Sequence, residues 1–442
     1  MNVNLLKNFE NDYQSYVSST PTPTDETPVK VMNFVEFVRN ELRKKNLVVF
    51  SNQETETILI RYKGDKEKMD WKEPMLNVSR SIVCDLETHD TLMVAPPKSI
   101  LIEDFKTSHP TMGNVLVEDF PSGPMVNMYN HPRKGWQLST RSYVGANNNF
   151  RSGEKSFRQL FEECLKNNTG LTIDEFGQNV DPDNTFSFVL THPDYFDVAR
   201  YAEPCLVLVE VRSRAEEHKL VNLAAVEEYF KSKEWKIKFP HRHNLASWDS
   251  VNEFIKSQPS QEQGLVFRYE NERAKIRNQD FLSARKLLGN HSKIVDVFAE
   301  NLQNKTVSDF LVYFPEKTNE FHHLSTSYHD ICGATHAFYI AHNTRPTTQK
   351  IEFSEIPRPI QTSVWNIHKQ YLESGTTSET RRQVKPNVVD AYYRNMTPIE
   401  LANILTYWEK FVKENGKNVT PRRHPDAPPM KTYQHKKFVP KQ

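Results

Sequence analysis

Between residues 47 and 142 the apolar positions fall in short runs separated by turn residues: "LVVFSN", "TILIRYK", "RSIVCDL", "TLMVAPP", "NVLVEDF", "PMVNMYN" and "GWQLSTR". Runs this short, rich in Val, Ile, Leu and aromatic residues, predict β-strands in a mainly antiparallel sheet. The flanking segments have the helical period instead. Leu5, Leu6, Phe9, Tyr13 and Tyr16 fit a short amphipathic helix, and "VMNFVEFVRNELRKKN" fits a second one that ends in basic residues, as a helix C-terminus favours. "SSTPTPTDETP" between them breaks regular structure.

Further along, "SFRQLFEECLKNN" sets Phe157, Leu160, Phe161 and Leu165 on one helical face. Two strongly apolar strands follow, "NTFSFVLTHP" and "PCLVLVEVRSR", then helices in "LAAVEEYFKSK" and "WDSVNEFIKSQ", and a closing hairpin in "QGLVFRY" and "RAKIRN". Clustered strands mixed with helices predict an α+β fold rather than a doubly wound sheet. After Asp280 the pattern is helical only: "FLSARKLL", "SKIVDVFAENL", "VSDFLVYF", "FHHLSTSYHDICGATHAFYIAH", "TSVWNIHKQYLES" and "TPIELANILTYWEKFVKEN". The expected organisation is an N-terminal helix and linker at 1–28, an antiparallel-sheet domain at 29–285, a helical domain at 286–414 and a basic, Pro-rich tail at 415–442.

Charge adds little for the chain as a whole. With 57 basic and 56 acidic side chains, nothing global attracts nucleic acid, so any such partner must meet a local basic patch. The tail offers one, with seven Lys or Arg residues from Lys417 onward against the single acid Asp426, and fits a phosphate backbone or a protein partner. Cys84, Cys164, Cys205 and Cys332 form no C-x-x-C pair, and the first three lie in or beside apolar runs, which predicts buried thiols in a reducing compartment. No run reaches the roughly 20 apolar residues of a membrane span, and the N-terminus lacks the apolar core of a secretion signal. The expectation is an intracellular, soluble protein.

His322, His323, His329, Cys332 and His336 crowd into one stretch, but their spacing fits no standard structural zinc site and Gly333 interrupts it, so no metal ligand is assigned. Trp365, Tyr371, Tyr392, Tyr393, Tyr407 and Trp408 read first as core of the helical domain; stacking on RNA bases is the alternative.

Four segments taken in order carry a resemblance. "RSIVCDLETHDTLMVAPPKS" is similar to an Arg-led hydrophobic pattern running into proline and lysine, "SGPMVNMYN" to the strand after a Lys-x-Asp-Gly nucleophile motif, and "GWQLSTRS" to the next strand. "QGLVFRYENERAKIRNQDF" is similar to a Glu-Gly-hydrophobic strand followed by a closing Lys-x-Lys motif. Over residues 50–285 or so, the chain resembles the covalent nucleotidyltransferases, specifically phage-type RNA ligases and their divergent versions in large DNA viruses. That implies a nucleotidyltransferase-like fold, the ligase adenylation domain, with ATP and Mg2+ as cofactors, nucleotide or RNA ends as partners, and a cytoplasmic location, in the host cytoplasm or a virion. In that family a lysine amine attacks the α-phosphate of ATP, and cationic groups stabilise the phosphate as pyrophosphate leaves.

Carried over by position, Arg80 and Lys98 face phosphate or the RNA end, Gly123 permits the turn beside the sugar, and Arg141 is a phosphate-facing cation. Gly264 and the pair Lys275 and Arg277 match the last two motifs. The departures are large. Aligning Gly123 places Phe120 at the nucleophilic lysine and Ser122 at the aspartate, Val189 replaces the acid of "TFSFVLTHP", and Gln263 stands before Gly264 where a carboxylate is usual, with Glu262 next to it. A phenylalanine cannot form the phosphoramide, and lost carboxylates weaken cation binding. The expectation is an RNA ligase-like protein that binds nucleotide or RNA ends with degenerate adenylyltransfer chemistry. Two other readings stand beside it: an active ATP-dependent RNA ligase using a displaced lysine, for which Lys98 and Lys134 are the candidates, and a non-catalytic virion or assembly protein that uses the fold as a scaffold.

Overall fold

The computed structural model describes residues 4–20, 32–64, 69, 71, 73–149, 154–194, 197–291, 293–344, 350–377, 381–416 and 419–421. Most of the linker expected near residues 18–28, and the basic tail from 422 onward, lie outside the described residues. The chain divides into two compact units, Met1–Ser283 and Ala284–Gln442.

The first unit starts with a 3₁₀ turn at Lys7–Phe9, helices α1 (Glu10–Ser19) and α2 (Phe34–Lys44), and strands β1 (Leu47–Asn52) and β2 (Thr57–Tyr62). Next come α3 (Pro74–Val78), β3 (Ile82–Asp85), β4 (Thr91–Val94), α4 (Ile102–Ser108), β5 (Leu116–Asp119), β6 (Met125–His131) and β7 (Gly135–Ser139). Helices α5 (Phe157–Thr169) and α6 (Ile173–Gln178) lead into β8 (Asn184–Thr191), β9 (Cys205–Ser213) and β10 (Lys219–Leu220). Then α7 (Leu223–Ser232), β11 (Arg242–His243), α8 (Trp248–Ser257), β12 (Gly264–Tyr269) and β13 (Glu272–Arg277) complete it. Helix α9 (Gln279–Leu288) carries the chain across the boundary between the units.

Among the described residues the named strands pair antiparallel and form three sheets in the orders β1-β2-β3-β4, β10-β9-β8-β6-β7 and β11-β5-β12-β13, with one isolated parallel bridge between Val207 and Lys238. The first sheet buries Ile58, Ile60, Ile82 and Cys84 against Leu5, Leu6, Phe37, Val38 and Leu42, so the N-terminal residues belong to this core. Its other face meets the second sheet through Leu59, Val83, Met93 and the fully buried Tyr129 of β6. The second sheet turns Phe186, Phe188, Leu206 and Leu208 toward α5, α6 and α7, where Phe161, Phe176 and Phe230 fill the core. The third packs Val117, Leu265, Phe267 and Ala274 on Phe105 of α4 and on Val251 and Ile255 of α8. Strand alternation therefore leaves the opposite faces of the second and third sheets for other side chains.

Local chemistry sets the helix ends. Ser156 with Gln159 and Thr172 with Glu175 form capping boxes that start α5 and α6, and Gly170 at φ 79° ends α5. Helices α3 and α6, five and six residues long, are too short for an apolar period to show.

The second unit continues with α10 (Ile294–Asn304), α11 (Val307–Tyr313), α12 (Thr318–Asn343), α13 (Arg358–Glu373), α14 (Pro386–Arg394) and α15 (Pro398–Asn415). Helix α12 runs unbroken through Gly333, and its buried Phe321, Leu324, Tyr328, Ile331 and Phe338 form its core stripe. Tyr328 donates to Asp390 Oδ1 at 2.7 Å, and Thr335 and Tyr393 share a buried hydrogen bond of 2.7 Å. Tyr393 and Trp408 are core residues, whereas Trp365 and Tyr407 are exposed. Burial pushes the Cys332 thiol up to about 12 and holds His336 below its usual value. No helix among the described residues is long and apolar enough to cross a membrane.

Candidate functional site

The register of β12 on β13 pairs Gly264 with Arg277, Val266 with Lys275 and Arg268 with Arg273, and β5 lies on the other side of β12 with Glu118 opposite Val266. Alternate residues share a face. Glu118, Val266, Arg268, Arg273, Lys275 and Arg277 thus lie on the face opposite the third sheet's apolar core, and Phe120 follows in step. The Phe120 N–H donates to the Gly264 carbonyl at 2.9 Å, and its ring lies 5.5 Å from Lys275 Nζ and 5.7 Å from the Arg277 guanidinium carbon. The position expected for a nucleophilic lysine is an aromatic ring under two cations.

Further basic groups adjoin this face. Arg80 is part-buried and feels the charges of Arg141 and Arg277; burial, with repulsion from both, holds its guanidinium below the usual arginine value against attraction from Tyr62 and Glu210. Arg141 lies 4.5 Å over the Tyr62 ring, and Arg61, repelled by Arg141, is held low chiefly by burial. Burial, then Arg268 and Arg80, push Arg273 down to about 9. The Nε atoms of Arg61, Arg141 and Arg273 are buried without a hydrogen-bond partner among the described residues. Lys98 Nζ sits 3.7 Å over Trp71, whose ring meets Tyr62 edge-on at 5.2 Å. Arg80, Arg141, Lys275 and Arg277 are thereby linked to one another, and Lys98 joins them through two aromatic rings.

The two glycines are required by space. Gly123 has φ 155°, and a Cβ there would lie 2.2 Å from the Leu190 carbonyl oxygen and 2.9 Å from Val189 Cγ1. Gly264 has φ 133°, and a Cβ would lie 2.1 Å from the Ile276 carbonyl oxygen. Both allow a strand to approach where a side chain would force it away. Gly123→Ala is accordingly expected to cost about 1–3 kcal/mol through forced backbone movement, read as a lower urea midpoint at unchanged slope.

Val189 stands beside Gly123 in a small apolar group with Val207, Val209 and Met125. Ser122 Oγ donates to the buried Asp197 at 3.4 Å, and Tyr201 donates to the Ser122 carbonyl at 2.6 Å. Lys134 lies in the β6–β7 turn and pairs with Glu56 at 3.2 Å. Asp85 pairs with Arg133 at 3.0 Å.

A buried ionic network, missed in the sequence, supports the basic face. Arg268 donates from Nε to Glu118 at 3.0 Å, from Nη1 to Glu210 at 2.7 Å and from Nη2 to the Val209 carbonyl at 3.0 Å, joining the third sheet to the second. Arg212 Nε adds a 2.7 Å contact to Glu210. Burial disfavours the Glu210 carboxylate, but Arg212 and Arg268 outweigh it and hold it below the usual range. The signal in the sequence was the pair Glu210 and Arg212 inside an apolar run, two polar residues that a buried strand tolerates only when paired.

No protein-family model and no curated protein matches the chain. Among solved structures, it is similar to an archaeal ATP-dependent RNA ligase at 12% identity and TM-score 0.40, over 85% of this chain and 77% of that one. A putative ATP-dependent DNA ligase from Aquifex aeolicus matches at 14% identity and TM-score 0.36, over 65% of this chain and 75% of that one. A variant of the Naegleria gruberi RNA ligase solved with ATP and Mn matches at 9% identity and TM-score 0.33, over 42% of this chain and 56% of that ligase.

Proposed function

We propose that the basic face around Phe120 binds the phosphate of a nucleotide or of an RNA end and holds it without forming a covalent adduct. The observation that carries this reading is the set of buried, unpartnered Nε atoms on Arg61, Arg141 and Arg273, beside Arg80. Each unmet buried donor costs about 1–3 kcal/mol, and like charges gathered beside them add to the cost. A phosphate removes both penalties, since its oxygens accept several charge-assisted hydrogen bonds at once. The order of the sequence motifs supplies the class of anion. Phe120, Val189 and Gln263 supply neither the nucleophile nor the carboxylates of covalent adenylyl transfer. In this reading the arginines provide the countercharge, and ligand binding does not require Mg2+.

The test is incubation with α-phosphate-labelled ATP or GTP and Mg2+ or Mn2+, followed by a denaturing gel, with calorimetric titration of ATP and a 5′-phosphorylated RNA oligonucleotide beside it. Saturable binding with no label surviving denaturation is expected. Label mapped to Lys98, Lys134 or Lys275 would make the chain an active ligase-type enzyme. Folded protein that binds none of these ligands would leave a scaffold role.

A further inference from the structure

Strand β5 serves two faces, and the one turned away from Phe120 carries a second set of polar groups. Asp119 is part-buried there, and its N–H donates to the His241 carbonyl at 2.9 Å. In the β11–β5 ladder Arg242 is opposite Glu118 and His243 opposite Val117, so His241 and His243, two residues apart, point to the same side as Asp119. Arg242 projects to the other side, 3.8 Å from Glu118. One ligand atom from each of Asp119, His241 and His243 lies within 4.8 Å of the other two. His243 Nε2 is 2.6 Å from Asp119 Oδ1, and its ring rests 4.6 Å from Phe254 of α8.

We propose that Asp119, His241 and His243 bind a divalent first-row transition metal ion, zinc above all, that ties the two-residue edge strand β11 to β5. Two imidazoles and one carboxylate are the donors such ions take, at bonds of about 2.0–2.2 Å. A tetrahedral ion needs its ligand atoms about 3.3 Å apart, so small side-chain rotations suffice, with the ion taking the place of the His243–Asp119 contact. His241 is exposed and also lines an open cleft of about 580 Å³ with Phe230, Trp235, Lys238 and Phe239, which leaves the outer coordination positions open to water. Among the described residues the other comparable group, Glu163, His192 and Asp194, already holds the Lys155 ammonium at 2.9 and 3.1 Å. The metal site does not depend on the phosphate reading, because the two use opposite faces of β5.

The test uses the full chain, stripped with a chelator and titrated with Zn2+ against a chromophoric competitor, with Co2+ absorption reporting the coordination. About one equivalent is expected to bind, weakened at least about tenfold in His241→Ala and in Asp119→Asn. His241 is exposed, so the first variant keeps its thermal midpoint in the absence of metal, and loss of binding in it is not loss of fold. Unchanged zinc affinity in both variants overturns the proposal. So does zinc binding abolished by His329→Ala with Cys332→Ser, or by His424→Ala with His435→Ala, since these would place the ion on α12 or the tail.

Discussion

Arg268→Met is expected to lower the unfolding free energy by about 3–5 kcal/mol, the cost of leaving buried charges without their partner. The guanidinium serves two carboxylates at once, Glu118 and Glu210, each about 97–98% buried, and a main-chain carbonyl of the neighbouring sheet. Methionine keeps most of the volume but none of the donors. Glu118 then keeps Arg242 at 3.8 Å and the longer-range charge of Arg273, while Glu210 keeps Arg212. Equilibrium urea unfolding of the first unit's transition measures the loss. Adding Glu118→Gln to Arg268→Met is expected to recover part of it, because Glu118 is the carboxylate left without a close cation, whereas Glu210 keeps Arg212. A cost below about 1 kcal/mol in the single variant would mean that water already satisfies these carboxylates.

The pH dependence has the same origin. The folded Glu210 carboxyl is held below its unfolded value of about 4.3, so its contribution is complete above that pH and is lost as the pH falls through the folded value. The wild type is expected to lose stability steeply below about pH 4, and Arg268→Met less steeply, because one of the cations that depress the carboxyl is gone while Arg212 and Arg273 remain.

The strands of the first sheet were legible because each is a short apolar run closed by turn residues, and "LVVFSN" and "TILIRYK" became β1 and β2 nearly residue for residue. Helix α14 was not legible, since "PNVVDAYYR" has only Val389 and Tyr393 buried and gives too little period to see. The candidate site divides in the same way. Arg80, Arg141, Lys275 and Arg277 could be placed together only by the order of motifs, because no local pattern tells a cation facing a ligand from one facing water. Arg273 precedes Lys275 by two residues on the same strand face, so strand alternation in "RAKIRN" alone groups Arg273 with Lys275 and Arg277. Asp119 and His243 stand 124 positions apart, and no spacing rule reaches across that distance.

Arg80→Met is expected to weaken binding of ATP and of 5′-phosphorylated RNA by about 30–100-fold, the equivalent of the roughly 2–3 kcal/mol that a charge-assisted contact to phosphate supplies. Calorimetric titration at several salt concentrations measures it, and for RNA the slope of log affinity against log salt should fall by about one unit. The decisive feature is the sign of the accompanying stability change. Arg80 is held low by burial and by repulsion from Arg141 and Arg277, so without ligand its removal relieves strain in the folded state. The thermal midpoint of the unliganded variant should therefore stay level or rise while affinity falls. A structural arginine would behave in the opposite way, losing stability with no specific effect on the ligand. If affinity for phosphate is unchanged and the midpoint drops, the charge cluster is held together by contacts within the fold, and the face around Phe120 is not where phosphate binds.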